Sequence, residues 1–107
     1  MIAFSYDEVA RRRRESGEDY LQFINEGSLS VGLYELAAGA VDPQQPHAED
    51  EVYFVVSGRG KITVGDEVRD VGPGDSVFVA AMVEHRFHDI EDDLSIVVFF
   101  APEHTRN

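Results

Sequence analysis

Short apolar runs, broken by turns rich in glycine and proline every ~8–12 residues, limit what this chain can fold into. That spacing is the signature of an antiparallel β sandwich or barrel. Strands are predicted at 20–24, 29–37, 52–56, 61–64, 67–71, 77–81, 85–88 and 94–100, about eight short strands in all. The run VYFVV at 52–56 is nearly continuous apolar, as in a strand buried on both faces. Gly65-Asp66 lies between two strand-like runs and reads as a hairpin turn. Gly58-Arg59-Gly60, Gly72-Pro73-Gly74-Asp75 and the acidic Glu91-Asp92-Asp93 read as further turns. Segment 103–107 reads as a loose tail.

Ahead of the strands, Asp7-Glu8 followed by Arg11 to Arg14 reads as one short helix. Acids at its start and bases at its end suit the helix dipole. Ser5 or Asp7 would cap it and Gly17 would end it. The arginine run invites a nucleic-acid reading, but a solvated helix face paired with nearby acids accounts for it better. With 107 residues the chain is expected to form one domain. A net charge of −12 argues against nucleic acid and against anionic membrane as partners. There is no cysteine, which excludes disulfide and thiolate chemistry. No apolar run approaches the ~20 residues of a membrane helix, and no signal peptide is visible, so a cytoplasmic location is expected.

The chemistry-bearing residues fall in two stretches, 39–58 and 74–89. Gln45, His47, Glu49 and Glu51 share one parity, and alternate side chains of an extended backbone project to one side. Pro43 and Pro46 favour extended backbone there. An imidazole beside a carboxylate suits a divalent transition ion, and His85, at another strand boundary, is the candidate further ligand. Tyr53 shares parity with Glu51, and Phe87 with His85. Those two are expected in a pocket wall, whereas Tyr34, Phe54 and Phe99 are expected in the core. His88 has the opposite parity to His85 and reads as surface, and His104 reads as an uninvolved tail residue.

These two stretches resemble the paired motifs of the cupin family, in its small single-domain, RmlC-like form. Gly39 stands at the opening glycine of the first motif, Gln45 at its first histidine, His47 at its second, Glu51 at its glutamate and Gly58 at its closing glycine. In the second motif Gly74 and His85 stand at the glycine and histidine, while Ala80, Met82 and Asp89 replace a proline, a glycine and an asparagine.

The resemblance implies an all-β double-stranded β-helix, a jelly-roll barrel, over 29–102, preceded by a helical arm at 1–19. It implies a metal site of Gln45, His47, Glu51 and His85 holding one Fe, Mn, Ni or Zn ion. Gln45 would serve either as an amide-oxygen ligand or as a hydrogen-bonding partner of a bound water or substrate. It gives Glu49 no ligand role, so a solvated face is expected for that residue. The implied function is that of a metal-dependent enzyme on a small molecule, of dioxygenase, isomerase or decarboxylase type. The alternative is a non-catalytic module that binds a small ligand. Small cupins pair through edge strands, so a homodimer is expected.

Overall fold

The computed structural model describes residues 1–104. One helix, α1 (Tyr6–Ser16), precedes six strands: β1 (Tyr20–Asn25), β2 (Ser30–Leu36), β3 (Asp50–Val64), β4 (Glu67–Val71), β5 (Ser76–Val79) and β6 (His85–Ala101). All pairings are antiparallel, in the order β1-β2-β6-β3-β4, with β5 also on β3. Residues 105–107 of the expected loose tail lie outside the described residues. The part that is described is tied down: the Glu103 amide donates to the Gly27 carbonyl (3.0 Å) and the His104 amide to Ser30 Oγ (2.9 Å).

Ser5 is the helix cap, and its Oγ accepts from the Glu8 amide at 3.1 Å. Gly17 ends the helix in the left-handed region, at φ 76°. The arginines do pair locally. Arg12 reaches Glu8 at 3.4 Å, and Arg13 reaches Glu35 at 3.2 Å and the Glu18 carbonyl at 2.8 Å. The helix lays Val9 and Ala10 against Leu33, with Phe4, Leu21, Phe23 and Val97 around them. That contact explains why β2 is buried on both faces: Leu33 faces the helix, while Tyr34 and Leu36 face the main core. The main core takes Tyr53, Val55, Ile62, Phe87, Leu94, Ile96, Val98 and Phe100 from the two long strands.

Two expected turns are not turns. Gly58-Arg59-Gly60 lies inside β3, and Glu91-Asp92-Asp93 lies inside β6. The two segments face each other, with Arg59 opposite Asp92, and the register shifts between Val55 and Lys61. Extra residues there bend the ribbon instead of reversing it. The buried positions of β3 accordingly switch from odd (51, 53, 55) to even (60, 62) across the bulge. Gly58 takes φ 94°, and a Cβ on it would stand 2.2 Å from the Asp93 carbonyl oxygen. Two apposed bulges and a close glycine therefore turn what read as four short strands into two long, bent ones.

Gly17 and Gly58 both adopt positive φ, but nothing lies within 4 Å of a Cβ at Gly17. Gly17→Ala should therefore cost only backbone strain, about 1 kcal/mol. Gly58→Ala must also push β6 away and should cost roughly 3 kcal/mol in urea unfolding. Equal losses for the two variants would remove the close approach as the cause of the bend.

Candidate metal centre

On an unbent ladder, Glu51 and His85 would be far apart. His85 pairs with Val64, at the far end of β3 from Glu51, and a strand rises ~3.3 Å per residue, so the separation would be roughly 40 Å. The bend brings His85 Nε2 to 2.9 Å from Glu51 Oε1. His47, on the loop before β3, lies over the pair. Its Nε2 is 4.0 Å from Glu51 Oε1, and its ring centroid is 5.3 Å from that of His85. One ligand atom from each of the three residues falls within 4.8 Å of the others. The Glu51 and His85 side chains are only 1% and 0% exposed, against 17% for His47.

Two of these atoms lack partners. Glu51 Oε2 and His85 Nε2 are buried with no hydrogen bond, although His85 Nε2 touches Glu51 Oε1. His85 Nδ1 lies 2.9 Å from the Val83 carbonyl, which can only accept. Nδ1 therefore donates to that carbonyl, which leaves Nε2, facing Glu51 Oε1, as the ring atom that a metal ion would take in place of a proton, with the outer partner already set. Two imidazoles and a carboxylate with buried, orphaned ligand atoms fit a first-row divalent ion.

Gln45 is exposed, and with Gln44 and His85 it lines a second, more polar hollow on the other side of the loop. The amide that reaches the site is that of Gln44. Its Oε1 accepts from the Tyr53 hydroxyl at 2.8 Å and lies 3.3 Å from His47 Nε2, and its Nε2 donates to Asp42 Oδ2 at 2.7 Å. β3 begins only at Asp50, so strand alternation does not govern the 41–47 loop. Asp42 organises that loop. Nearly buried at 5% exposure, it also accepts from the Tyr34 hydroxyl at 2.6 Å and from the Phe87 amide at 2.8 Å. Neither Asp42 nor Gln44 was legible as a site residue.

Tyr53 and Phe87 pack edge to face in the core, centroids 4.9 Å apart. A cavity of about 180 Å³ opens beside His47, with Tyr20, Tyr34, Val98 and Phe100 as its walls and Gln44 and His104 at its polar side. Tyr20 fits there because residue 32 is glycine: a Cβ would stand 2.2 Å from the Tyr20 ring. A glycine inside an apolar strand is the one sequence signal of such a close approach. Of the residues expected in the core, Tyr34 is there and also forms a cavity wall, while Phe54 and Phe99 are partly exposed on the outer face. His88 points to the outer face, where it meets Thr63 Oγ1 at 2.6 Å. Glu49 and His104 are not solvated bystanders, for they meet at 2.9 Å beside His47.

Burial sets the protonation states. It lowers the His47 pKa, and the Glu51 charge offsets this only in part. Burial also disfavours a charged His85, but Glu51 and the Val83 carbonyl outweigh it, so that pKa is raised. Burial and the charges of Glu51 and Glu49 push the Tyr20 hydroxyl far up, so it keeps its proton.

A family model for the cupin domain matches residues 32–101. The chain is a cupin. It is 53% identical to the SCO3923 protein of Streptomyces coelicolor over 102 residues, covering 95% of this chain and 97% of that one. Among solved structures, the DMSP lyase DddQ of Ruegeria pomeroyi matches with a TM-score of 0.75 at 23% identity, over 82% of this chain and 48% of the lyase. This cupin thus spans about half of the lyase's length. An RmlC-like cupin of Methanocaldococcus jannaschii with a double-stranded β-helix fold matches with a TM-score of 0.71 at 20% identity, over 78% of this chain and 79% of that one. At these identities the likeness establishes the fold, an all-β double-stranded β-helix. Among the described residues no helix is long and apolar enough to cross a membrane.

Asp42→Asn should replace an acceptor with a donor among groups that all donate to it. Urea unfolding should show a loss of roughly 2–4 kcal/mol. A loss under about 0.5 kcal/mol, the range of an ordinary surface change, would mean that the loop is held by other contacts.

Proposed function

We propose that this cupin is a metal-dependent enzyme acting on a small molecule in the cavity beside His47. The observation that carries the reading is the buried Glu51–His85 contact, with Glu51 Oε2 left without a partner, next to His47 and that cavity. Glu51, His85 and His47 would hold one Fe, Mn, Ni or Zn ion. Bound there, the ion would supply Lewis-acid polarisation of a substrate oxygen or, if redox-active, dioxygen chemistry of the kind two-histidine, one-carboxylate sites support.

The chain's own residues do the rest. Asp42 fixes the Gln44 amide, which holds the 41–47 loop and therefore His47 over the other two ligands. Tyr20, Tyr34 and Phe100 exclude water from the cavity and limit it to small molecules. The Tyr20 hydroxyl, buried without a partner and held protonated, is the group placed to donate a hydrogen bond to a substrate oxygen.

Elemental analysis of untagged protein after exhaustive dialysis should find near-stoichiometric transition metal, whereas His85→Ala, left with weaker binding only, should lose its metal on dialysis. Negligible metal in both would overturn the enzyme reading in favour of a ligand-binding module. Because the His85 pKa is raised, the ion must displace a proton below that value. Metal affinity should therefore level off above that raised pKa and fall by about tenfold per pH unit as pH drops below it.

We also infer a homodimer. Phe54, Phe78 and Phe99 are exposed on adjacent strands of the outer sheet face, on the β5–β3–β6 side that α1 leaves bare. With a net charge of −12, two copies approach with least repulsion on such an uncharged patch. Light scattering should give twice the chain mass for the native protein and the single mass for Phe54→Glu. A monomeric native protein at micromolar concentration would refute the dimer.

A further inference from the structure

We propose that His47, Glu49 and His104 form a second cation position at the cavity mouth, through which a divalent ion reaches the inner ligands. One ligand atom from each of these residues lies within 4.8 Å of the others, the same limit that the inner triad meets. Donors around a zinc-like ion stand roughly 3–4 Å apart, because each bond is about 2.0–2.2 Å, so a small closure completes the site.

His104 is held ready for this although it lies in the C-terminal segment. Its amide is tied to Ser30 Oγ at 2.9 Å, and Ser30 is fully buried. Its ring stacks on Phe100 with centroids 4.4 Å apart and 22° between planes. Its Nδ1 meets Glu49 Oε1 at 2.9 Å.

Glu49 has an unusual lack of balancing charge. Its side chain is 10% exposed, and its ion-pair partner among the described residues is a histidine, not a lysine or arginine. Asp42 and Glu51 are buried close by, and no lysine or arginine lines the cavity. Buried carboxylates without fixed cations favour a bound metal ion.

Access assigns the outer position its role. The Glu51 and His85 side chains are sealed from solvent, while His47 and His104 are 17% and 23% exposed. His47 is the one residue common to both triads. An ion caught by Glu49 and His104 is therefore already bound to an inner ligand. Exchanging those two for Glu51 and His85 completes the transfer.

The loading role rests on the inner metal site proposed above, whereas the outer position itself does not. The test is Co(II) binding by the full chain, read by visible absorption and calorimetry. His85→Ala should still bind one Co(II), and adding His104→Ala should weaken that ion by about tenfold or more, the loss expected when a metal partner is removed. In stopped flow, Glu49→Gln and His104→Ala should load several-fold more slowly than the native protein while reaching the same stoichiometry.

If His85→Ala binds Co(II) no better than the double variant, the outer position does not exist. If the two outer variants load at the native rate, the transfer role is wrong. Failure of the inner site alone reads differently: His104→Ala would then abolish all binding and His85→Ala would change nothing. Melting by circular dichroism identifies any variant that fails to fold. For such a variant, Glu49→Gln in place of His104→Ala gives the same comparison.

Discussion

The pairing of β3 with β6, and the bend forced on it, is the constraint from which the rest of this cupin follows. Two strands this long are too extended to stay flat in a domain of this size. Apposed irregularities at residues 55–61 and 89–93 let the ribbon fold back on its own inner face. The same fold-back creates one core from both halves and brings His85 against Glu51. Stability and the candidate metal centre are thus consequences of one deformation, and Gly58, pressed against the Asp93 carbonyl, is where it is tightest.

Electrostatics form the second layer. Two histidines and no lysine or arginine line the cavity, and behind that lining stand Asp42, bonded to Gln44, Glu49, bonded to His104, and Glu51, beside His47. Asp42 accepts from neutral donors on both of its oxygens, which makes it a rigid anchor. Glu51 is left with one oxygen free. Burial of these groups is costly unless something compensates, so the residues whose burial weakens the chain are also the ones a bound cation would relieve. Strand parity sorts the roles further. Odd residues at the start of β3 face the core, so Tyr53 lies under Glu51, while Phe54 is turned out to the bare face.

The class of fold was readable because turn residues and short apolar runs repeat along the chain, and because two glycine-framed motifs fall at matching spacings. The helix was readable in detail from Ser5 and Gly17, since capping is a local interaction. The bulges were not, because Gly58-Arg59-Gly60 has the composition of a turn. Only the partner strand, which keeps pairing on both sides of it, makes it a bend. The 41–47 loop was misleading for a related reason. Parity pointed to Gln45, but alternation holds only where a ladder imposes it, and it gave no sign that the Asp42 hydrogen bonds bring Gln44 to His47.

Sequence by itself determined the short-range features: the helix and its caps, the hairpin at Gly65, the alternation within each strand, and the residue types of the candidate metal site. Each depends on neighbours a few residues away, or on donor chemistry that needs no geometry. Tertiary structure decided everything that depends on contact between distant segments. Ser30 and Gly27 dock the C-terminal segment, so that His104 stands by Glu49 and His47. Gly32 admits the Tyr20 ring to the cavity wall, and the bent ribbon sets the distance from Glu51 to His85. Those contacts join residues tens of positions apart, and their geometry exists only once the chain has closed on its core.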